Sequence, residues 1–556
     1  MKQKHITQFL LGIIGIILLN WITAQYFFRI DLTEEKRYSI SEPTKNILKS
    51  LDDEIHIKVY LEGDFPSGFR RLQKAVKETL DEFKIYAKKK ITYKFIDPTK
   101  VGKNKEEQNK FYRELVKKGV QPSQIFANEG DKKVQKLIFP AAILVKDSLE
   151  ITVPLFKSAD PRFKGSLTPE QILNQSVENT EYNLIVGIRE LTKTNKKRIG
   201  FIEGHGELDD TEKRDIVNSL QKYYEVYKVD LPKSQEIAQL DAIIIAKPDT
   251  TFSDNEKYKI DQYIMKGGKA LFFLDAVGVY MDSVLYDKQG SSFTFPYNHN
   301  LTDLLFKYGV RINNTLIKDL QAAPIPLVVG NMGDRPQIRP FPWFYYPIVN
   351  TFQKHQITKG LGTIQTKFVS TIDTVKASNI QKTPLMFSSK YAKTIGTPAL
   401  IEFNELKKAP NLKEYNISNI PMAYLLEGKF TSLFKSRSQS QDKNFVRESK
   451  PTKILVFADG DVIKNEPQRQ LGQDTVNRTM HANTDFIINA LDYMIDDKGI
   501  IVSKNKEVIL RPLDKLKIEE ESSYWQFLNV VLPSICIIAF GIIFNLLRKR
   551  KYATKK

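Results

Sequence analysis

Twenty-three consecutive residues, Ile6 to Phe28, contain no Asp, Glu, Lys or Arg. As a helix rising about 1.5 Å per residue they reach roughly 35 Å, enough to cross a hydrocarbon core of about 30 Å. Lys2 and Lys4 precede the run, and Trp21, Tyr26, Phe27 and Phe28 crowd its far end, where amphipathic rings settle at the headgroup level. The rival reading is a cleaved signal peptide, with Ala24 as the cleavage-site residue. The run is long for that, and cleavage would leave a bulky Gln-Tyr-Phe-Phe start. A retained anchor is therefore expected. A second run, Ser522 to Leu547, holds 26 residues without formal charge. Glu519, Glu520 and Glu521 precede it, and Arg548, Lys549, Arg550 and Lys551 follow. Lys and Arg beside a spanning helix stay in the cytoplasm. Both basic ends are thus expected inside, at the inner membrane, with the bulk of the chain in the periplasm.

Between the anchors the sequence reads as globular. Of the whole chain, 27% is charged and 41% hydrophobic, and 556 residues can bury more than one core. The net charge is +19. Basic clusters such as Lys88-Lys89-Lys90 and Lys196-Lys197-Arg198 are interspersed with acids and read as solvated faces. An anionic headgroup or surface polymer is the alternative partner; nucleic acid is a poor one for a region held outside the membrane. The one cysteine, Cys536, lies in the second run. Disulfides, a cysteine nucleophile and cysteine-ligated zinc are excluded from the region between.

Seven segments follow: 1–5 cytoplasmic, 6–28 spanning, 29–195 a first periplasmic α/β domain, 196–505 a second, 506–521 a linker, 522–547 spanning and 548–556 a basic tail. In the first domain, Ile55 to Leu61 alternates as a half-buried strand, Phe69 to Ala87 has helical spacing, and Ile91 to Ile96 is a second strand. A polar helix covers 105–118, strands are expected near 135–139, 141–145 and 150–153, and a capping box at Thr168 and Gln171 opens a helix running to Leu191. This order resembles a thioredoxin-like layer without a Cys-x-x-Cys. In the second domain, Ile199 to Glu207 reads as a buried strand entering a glycine turn, Asp209 to Tyr224 as a helix, and Leu240 to Ala246 as an all-apolar strand of a parallel sheet. Ser253 and Glu256 form another capping box. Strands near 270–274 and 454–458 complete an expected open parallel α/β sheet. Ala322 to Pro347, rich in proline and aromatic residues, reads as irregular.

Ligands of open parallel sheets sit beyond the carboxyl ends of the strands. Polar groups there are Glu203, His205 and Glu207, then Asp275, then Asp459 and Asp461. Together they could hold a divalent ion or move a proton; equally, Asp and Gly after strands are ordinary turn and cap residues. No phosphate-binding loop, His-Glu-x-x-His or Gly-x-Ser-x-Gly is present. Neither enzymatic activity nor a cofactor nor a metal is expected. Trp343, Phe344, Tyr345 and Tyr346 form either an exposed docking patch or a buried flap over the core.

Several segments carry a family resemblance: Arg29-Ile-Asp-Leu-Thr33 with Lys36-Arg-Tyr-Ser39, Phe95-Ile-Asp-Pro98, Ile199 to Leu208, Ile260 to Gly268, Pro342 to Pro347, Leu425 to Phe430, Asp459-Gly-Asp461, and Trp525 to Pro533. In this order the chain resembles GldG, the gliding-motility-associated, ABC-transporter-type auxiliary proteins. The resemblance implies a partner role beside an ABC-2-type permease (GldF-like) and a separate ATPase (GldA-like), with two copies per assembly. It also implies a large domain similar to flavodoxin- and amidotransferase-like folds. The amidotransferase nucleophile is a cysteine, and the domain has none. A non-catalytic subunit is expected. The alternatives are an envelope enzyme or ligand receptor, and a basic polymer-binding module.

Overall fold

Ile55, Ile57 and Val59 are fully buried while His56 and Lys58 face solvent, so the first strand, β1 (Ile55–Val59), lays one face on a core. The computed structural model describes residues 11–15, 39–129, 132–156, 164–193, 196–237, 239–281, 291–333, 335–496, 499–505 and 521–553. Ahead of β1 is α1 (Glu42–Lys49); after it come α2 (Ser67–Tyr86), β2 (Ile91–Phe95) and α3 (Lys105–Lys117). A hairpin of β3 (Ser123–Glu129) and β4 (Lys132–Ile138) leads to β5 (Ala141–Lys146) and β6 (Leu149–Pro154), then α4 (Pro169–Glu178) and α5 (Thr180–Thr192). The sheet order is β2-β1-β5-β6, with β1 parallel to β2 and antiparallel to β5. Leu72, Val76, Leu80 and Phe83 of α2 and Leu184, Ile185 and Ile188 of α5 cover one face. Leu115 of α3 covers the other, against Ala141 and Ile143.

Where one helix was expected from Thr168 to Leu191, there are two. The capping box at Thr168 forms, but the helix breaks at Asn179. Ser176 and Thr180 donate their hydroxyls to the carbonyls of Ile172 and Ser176, and such back-bonding competes with the regular ladder.

The second sheet begins with β7 (Arg198–Glu203), α6 (Arg214–Gln221), β8 (Glu225–Asp230), β9 (Ala242–Ala246), α7 (Asp254–Met265) and β10 (Lys269–Phe273). Residues 274–451 then depart from the sheet and return to it. They include α8 (Thr302–Tyr308), the long pair β11 (Ala322–Met332) and β12 (Arg335–Val349), and β13 (Thr351–Phe352), β14 (Ile380–Phe387) and β15 (Pro421–Gly428). Next come β16 (Thr452–Phe457) and α9 (Asn483–Ile495). The eight strands are ordered β13-β14-β15-β16-β10-β9-β7-β8. Five run parallel, from β8 to β16; β15, β14 and β13 extend the sheet antiparallel. Every residue of β9 is buried, as a strand covered on both faces requires. Ile244 faces a core with α6 and α9, while Ile243 and Ile245 face α7 and α8. Each such isoleucine contributes about 1.5–3 kcal/mol on burial.

Two expectations change here. The helix expected over 209–224 shrinks to Arg214–Gln221, because Asp209 accepts from the backbone of Thr211 and Glu212 and spends the first turn as a loop. The stretch expected as irregular, 322–347, is a β-ribbon. Its prolines lowered the strand signal, yet they stand where a ladder does not need their N–H.

The chain then turns back. Ile500 and Ile501, in a short 3-10 turn, bury themselves in the core of the first sheet. Residues 507–556 form a separate unit. In it, Ser522–Arg550 is one continuous helix of mean hydropathy 2.5, the only helix among the described residues long and apolar enough to cross a membrane. A π-turn at Phe527–Val531 precedes Pro533, whose missing N–H breaks the regular ladder. Of the first membrane-length run, only residues 11–15, which are helical, lie within the described residues.

Candidate functional site

β9, β10 and β16 lie side by side, so the residues that follow them meet. Lys247 follows β9, Asp275 follows β10, and Asp459 and Asp461 follow β16. The Lys247 ammonium donates to Asp275 Oδ2 at 2.7 Å and to Asp461 Oδ2 at 2.6 Å. The Gly460 N–H donates to Asp275 Oδ1 at 2.6 Å. Asp459 accepts from the backbone of Asp461 at 2.6 Å and of Lys367 at 2.8 Å. One oxygen from each of the three carboxylates lies within 4.8 Å of the others. Gly460 makes the approach possible, since a Cβ there would stand 2.6 Å from the Lys247 Cβ. Lys247 itself has φ +54, a left-handed conformation costing roughly 1–2 kcal/mol in a residue with a side chain. Its two carboxylate bonds hold it there.

The three acids are not equivalent. Burial, with the charges of Asp461 and Asp275 added, pushes Asp459 well above the usual carboxylate range. Burial also raises Asp275, against the pull of Lys247. Burial opposes the charge on Asp461 too, but Lys247 and Lys367 hold it below its ordinary value. Burial works against the Lys247 charge, yet Asp275 and Asp461 outweigh it and raise its pKa well above normal. The node therefore sets a lysine ammonium beside one carboxyl held toward its charged form, Asp461, and two pushed toward their neutral form, Asp275 and Asp459. Beside it, Lys367, Asp461, Lys464, Glu466 and Asn483 line a cavity of about 20 Å³, room for about one water. A divalent ion would have the three carboxylates as ligands, but the lysine ammonium already stands between two of them.

The other acidic candidates lie in separate clusters. Glu203 accepts from the buried Lys213 at 2.5 Å. His205 is buried between two carboxylates, with Nδ1 3.4 Å from Glu207 and Nε2 3.2 Å from Glu256. Its ring stacks on Phe252 at 3.6 Å. The carboxylates face opposite ring nitrogens, so they cannot chelate one ion with it. Glu256 also closes the capping box of α7, which ties the glycine turn after β7 to that helix. Burial disfavours the imidazolium, but Glu207 and Glu256 overcome it and raise the His205 pKa. A raised histidine contributes stability that is full below about pH 6.5 and lost as pH rises through its folded value. His205→Gln should therefore lower the melting temperature more at pH 6 than at pH 8.5. An equal loss at both would show that His205 acts by packing alone.

Trp343 and Tyr345 are each 1% exposed and Phe344 is buried beside them, so this stretch is a flap in the core and not a docking patch. The patch reading fails because these residues form the inner half of β12. Tyr346 closes over Phe368 and receives the Lys367 ammonium at 5.3 Å from its ring centre. Sequence reasoning missed Lys247, Lys213 and Glu256. A charge directly after the all-apolar Ala-Ile-Ile-Ile-Ala was the available signal for Lys247.

Comparison with known proteins adds a lineage. A protein of Borreliella burgdorferi, named "Uncharacterized protein", is 23% identical over 570 aligned positions covering 99% of each chain. A solved structure, "mmIFT52 N-terminal domain", aligns with 54% of this chain and 98% of its own at 13% identity, and its TM-score of 0.32 supports no conclusion. Residues 34–145 match a domain of unknown function. Residues 196–490, more than half of the chain, match the family described as an ABC-type uncharacterized transport system. The chain belongs to this family of ABC-transport auxiliary proteins.

Proposed function

We propose that the chain is a non-catalytic subunit of an ABC-transporter-like complex of the gliding-motility type, GldG-like, working with a GldF-like permease and a GldA-like ATPase. Both membrane-length runs anchor it, both termini are cytoplasmic, and the folded region is periplasmic. We read its two layers as thioredoxin-like and flavodoxin-like scaffolds whose catalytic positions are not used. The observation that carries the non-catalytic reading is the filled strand-end crevice. Where such sheets place a ligand, Lys247 is bonded to Asp275 and Asp461, and both oxygens of Asp275 and of Asp459 are taken by partners of the fold. The conformational change of the permease is then passed on by a rigid body.

Purification of the full-length chain from its own membranes in mild detergent should recover permease and ATPase in fixed ratio. A monodisperse chain without them, while those two co-elute with each other, overturns the proposal.

A further inference from the structure

Helix α8 has two unlike sides. Leu304, Leu305 and Tyr308, with Leu301 just ahead of the helix, lie in the core beside Ile243 and Ile245 of β9. Thr302, Asp303, Phe306 and Lys307 share the other side, as helical spacing requires. With Asn298 and Asn300 they line a cleft of about 590 Å³, within the roughly 300–1,000 Å³ of small-molecule sites. Leu433, from the loop after β15, completes the lining. The cleft lies beside the segment that leaves the carboxyl end of β9, the end where open sheets take ligands. Phe252 of that segment donates its N–H to the His299 carbonyl at 3.0 Å and accepts the Asn300 amide at 2.9 Å.

The one carboxylate of the cleft is saturated. The buried Lys257 ammonium reaches both oxygens of Asp303 at 3.0 Å, and Asn300 Oδ1 at 3.0 Å. Asp303 Oδ1 also accepts the Leu304 N–H at 2.9 Å, and Oδ2 accepts Arg437 at 3.0 Å. A carboxylate has about four lone-pair sites, so none is left for a cation. What remains, among the described residues, is the side-chain amide of Asn298, the hydroxyl of Thr302 and the ammonium of Lys307, none with a partner, and the ring of Phe306, which is 51% exposed. One ammonium is too little for a polyanion. A wholly apolar ligand would leave three polar groups covered and unpaired.

The ligand that suits this set is uncharged, rich in hydroxyls and apolar on one face. A pyranose has that form. Its C–H groups carry the partial positive charge that an aromatic face attracts, and its hydroxyls both donate and accept. We infer that the cleft binds a neutral saccharide unit, stacked on Phe306 and hydrogen-bonded by Asn298, Thr302 and Lys307. The inference goes beyond the transporter reading and does not depend on which permease is present.

The test uses the full chain in a detergent whose headgroup is not a sugar, titrated by calorimetry with chitotriose, cellotriose and trigalacturonate. Saturable binding of chitotriose or cellotriose is expected. Phe306→Ala should weaken it about tenfold and Lys307→Met about fivefold, the sizes of one aromatic contact and one hydrogen bond to a charged group. Tyr391→Ala, which removes a ring 61% exposed outside the cleft, should leave it unchanged. Melting temperatures should stay the same, since all three side chains are exposed. If Phe306→Ala fails to fold, Lys307→Met decides. No binding of either neutral trisaccharide, binding that both cleft variants leave intact, or trigalacturonate binding more tightly than the neutral sugars overturns the inference.

Discussion

Replacing Lys247 with methionine should destabilise the folded region by about 3–5 kcal/mol at pH 7, the range for removing one partner of a buried ion pair. The stem of the side chain is kept, so the loss is electrostatic and not a cavity. What remains is Asp275, Asp459 and Asp461 within 4.8 Å of one another without the ammonium. The pH dependence fixes the cause. In the native chain Asp461 is depressed, so its contribution is present above its unfolded pKa near 4 and lost as pH falls through the folded value. Lys247 is raised, so its contribution is present below about pH 10.4 and lost only above its folded value. Asp275 and Asp459 are raised, so their contribution has the opposite sign, full below their unfolded pKa near 4 and lost as pH rises through the folded values. In Lys247→Met the remaining carboxylates take up protons on folding, so stability should recover as pH falls toward 5. Thermal melts at pH 5 and pH 7.5 measure this, and a deficit that does not shrink on acidification would place the role of Lys247 in packing. The shorter variant Lys247→Ala opens the carboxylates to a cation. A rise in melting temperature with millimolar Mn²⁺ in that variant, absent in the native chain, would show that the lysine stands where a metal could bind.

The sequence exposed the parts of the fold that local chemistry decides. Ala242 to Ala246 declares a doubly covered strand by its lack of any polar residue, and Ser253 with Glu256 declares a helix start. It hid what depends on distant partners. Glu225–Asp230 is a paired edge strand with solvent on much of its surface, so it shows neither an apolar run nor clean alternation. The ribbon was hidden by its prolines, because the direction of a missing N–H is set by a strand that is itself part of the puzzle. The strand-end rule located Asp275, Asp459 and Asp461, since each follows an apolar run. It could not say that Lys247 would neutralise two of them, because that depends on β9 lying next to β10 and β10 next to β16. Glu256 escaped notice because its capping role already accounted for it, although its carboxylate also meets His205.

Asp492 should prove the other large dependence, and it bears on how the two sheets move together. It lies on α9, beneath the second sheet, yet it accepts the hydroxyl of Tyr182 from α5 of the first domain as well as that of Tyr224 just before β8. Both tyrosines are buried, and burial together with the Asp492 charge raises each phenol well above its usual pKa. They stay protonated donors at every working pH. A hydrogen bond to a charged acceptor contributes about 1.5–3 kcal/mol, and removing the acceptor leaves two buried hydroxyls unsatisfied. Asp492→Ala should cost about 3–5 kcal/mol, and Asp492→Asn, which keeps a neutral acceptor, about half as much. The shape of the transition matters as much as its midpoint. Ile500 and Ile501 still tie the end of the second domain into the first core, so the domains stay joined while their shared polar node is gone. Calorimetry of the full chain should then resolve two overlapping transitions in place of one. Tyr182→Phe combined with Tyr224→Phe should reproduce the split without altering any charge. A single sharp transition in both variants would show that the remaining contacts, the packing of Ile500 and Ile501 and the pairing of Lys164–Gly165 with Thr479–Met480, couple the domains. The stiffness between the domains would then come from those contacts and not from the carboxylate.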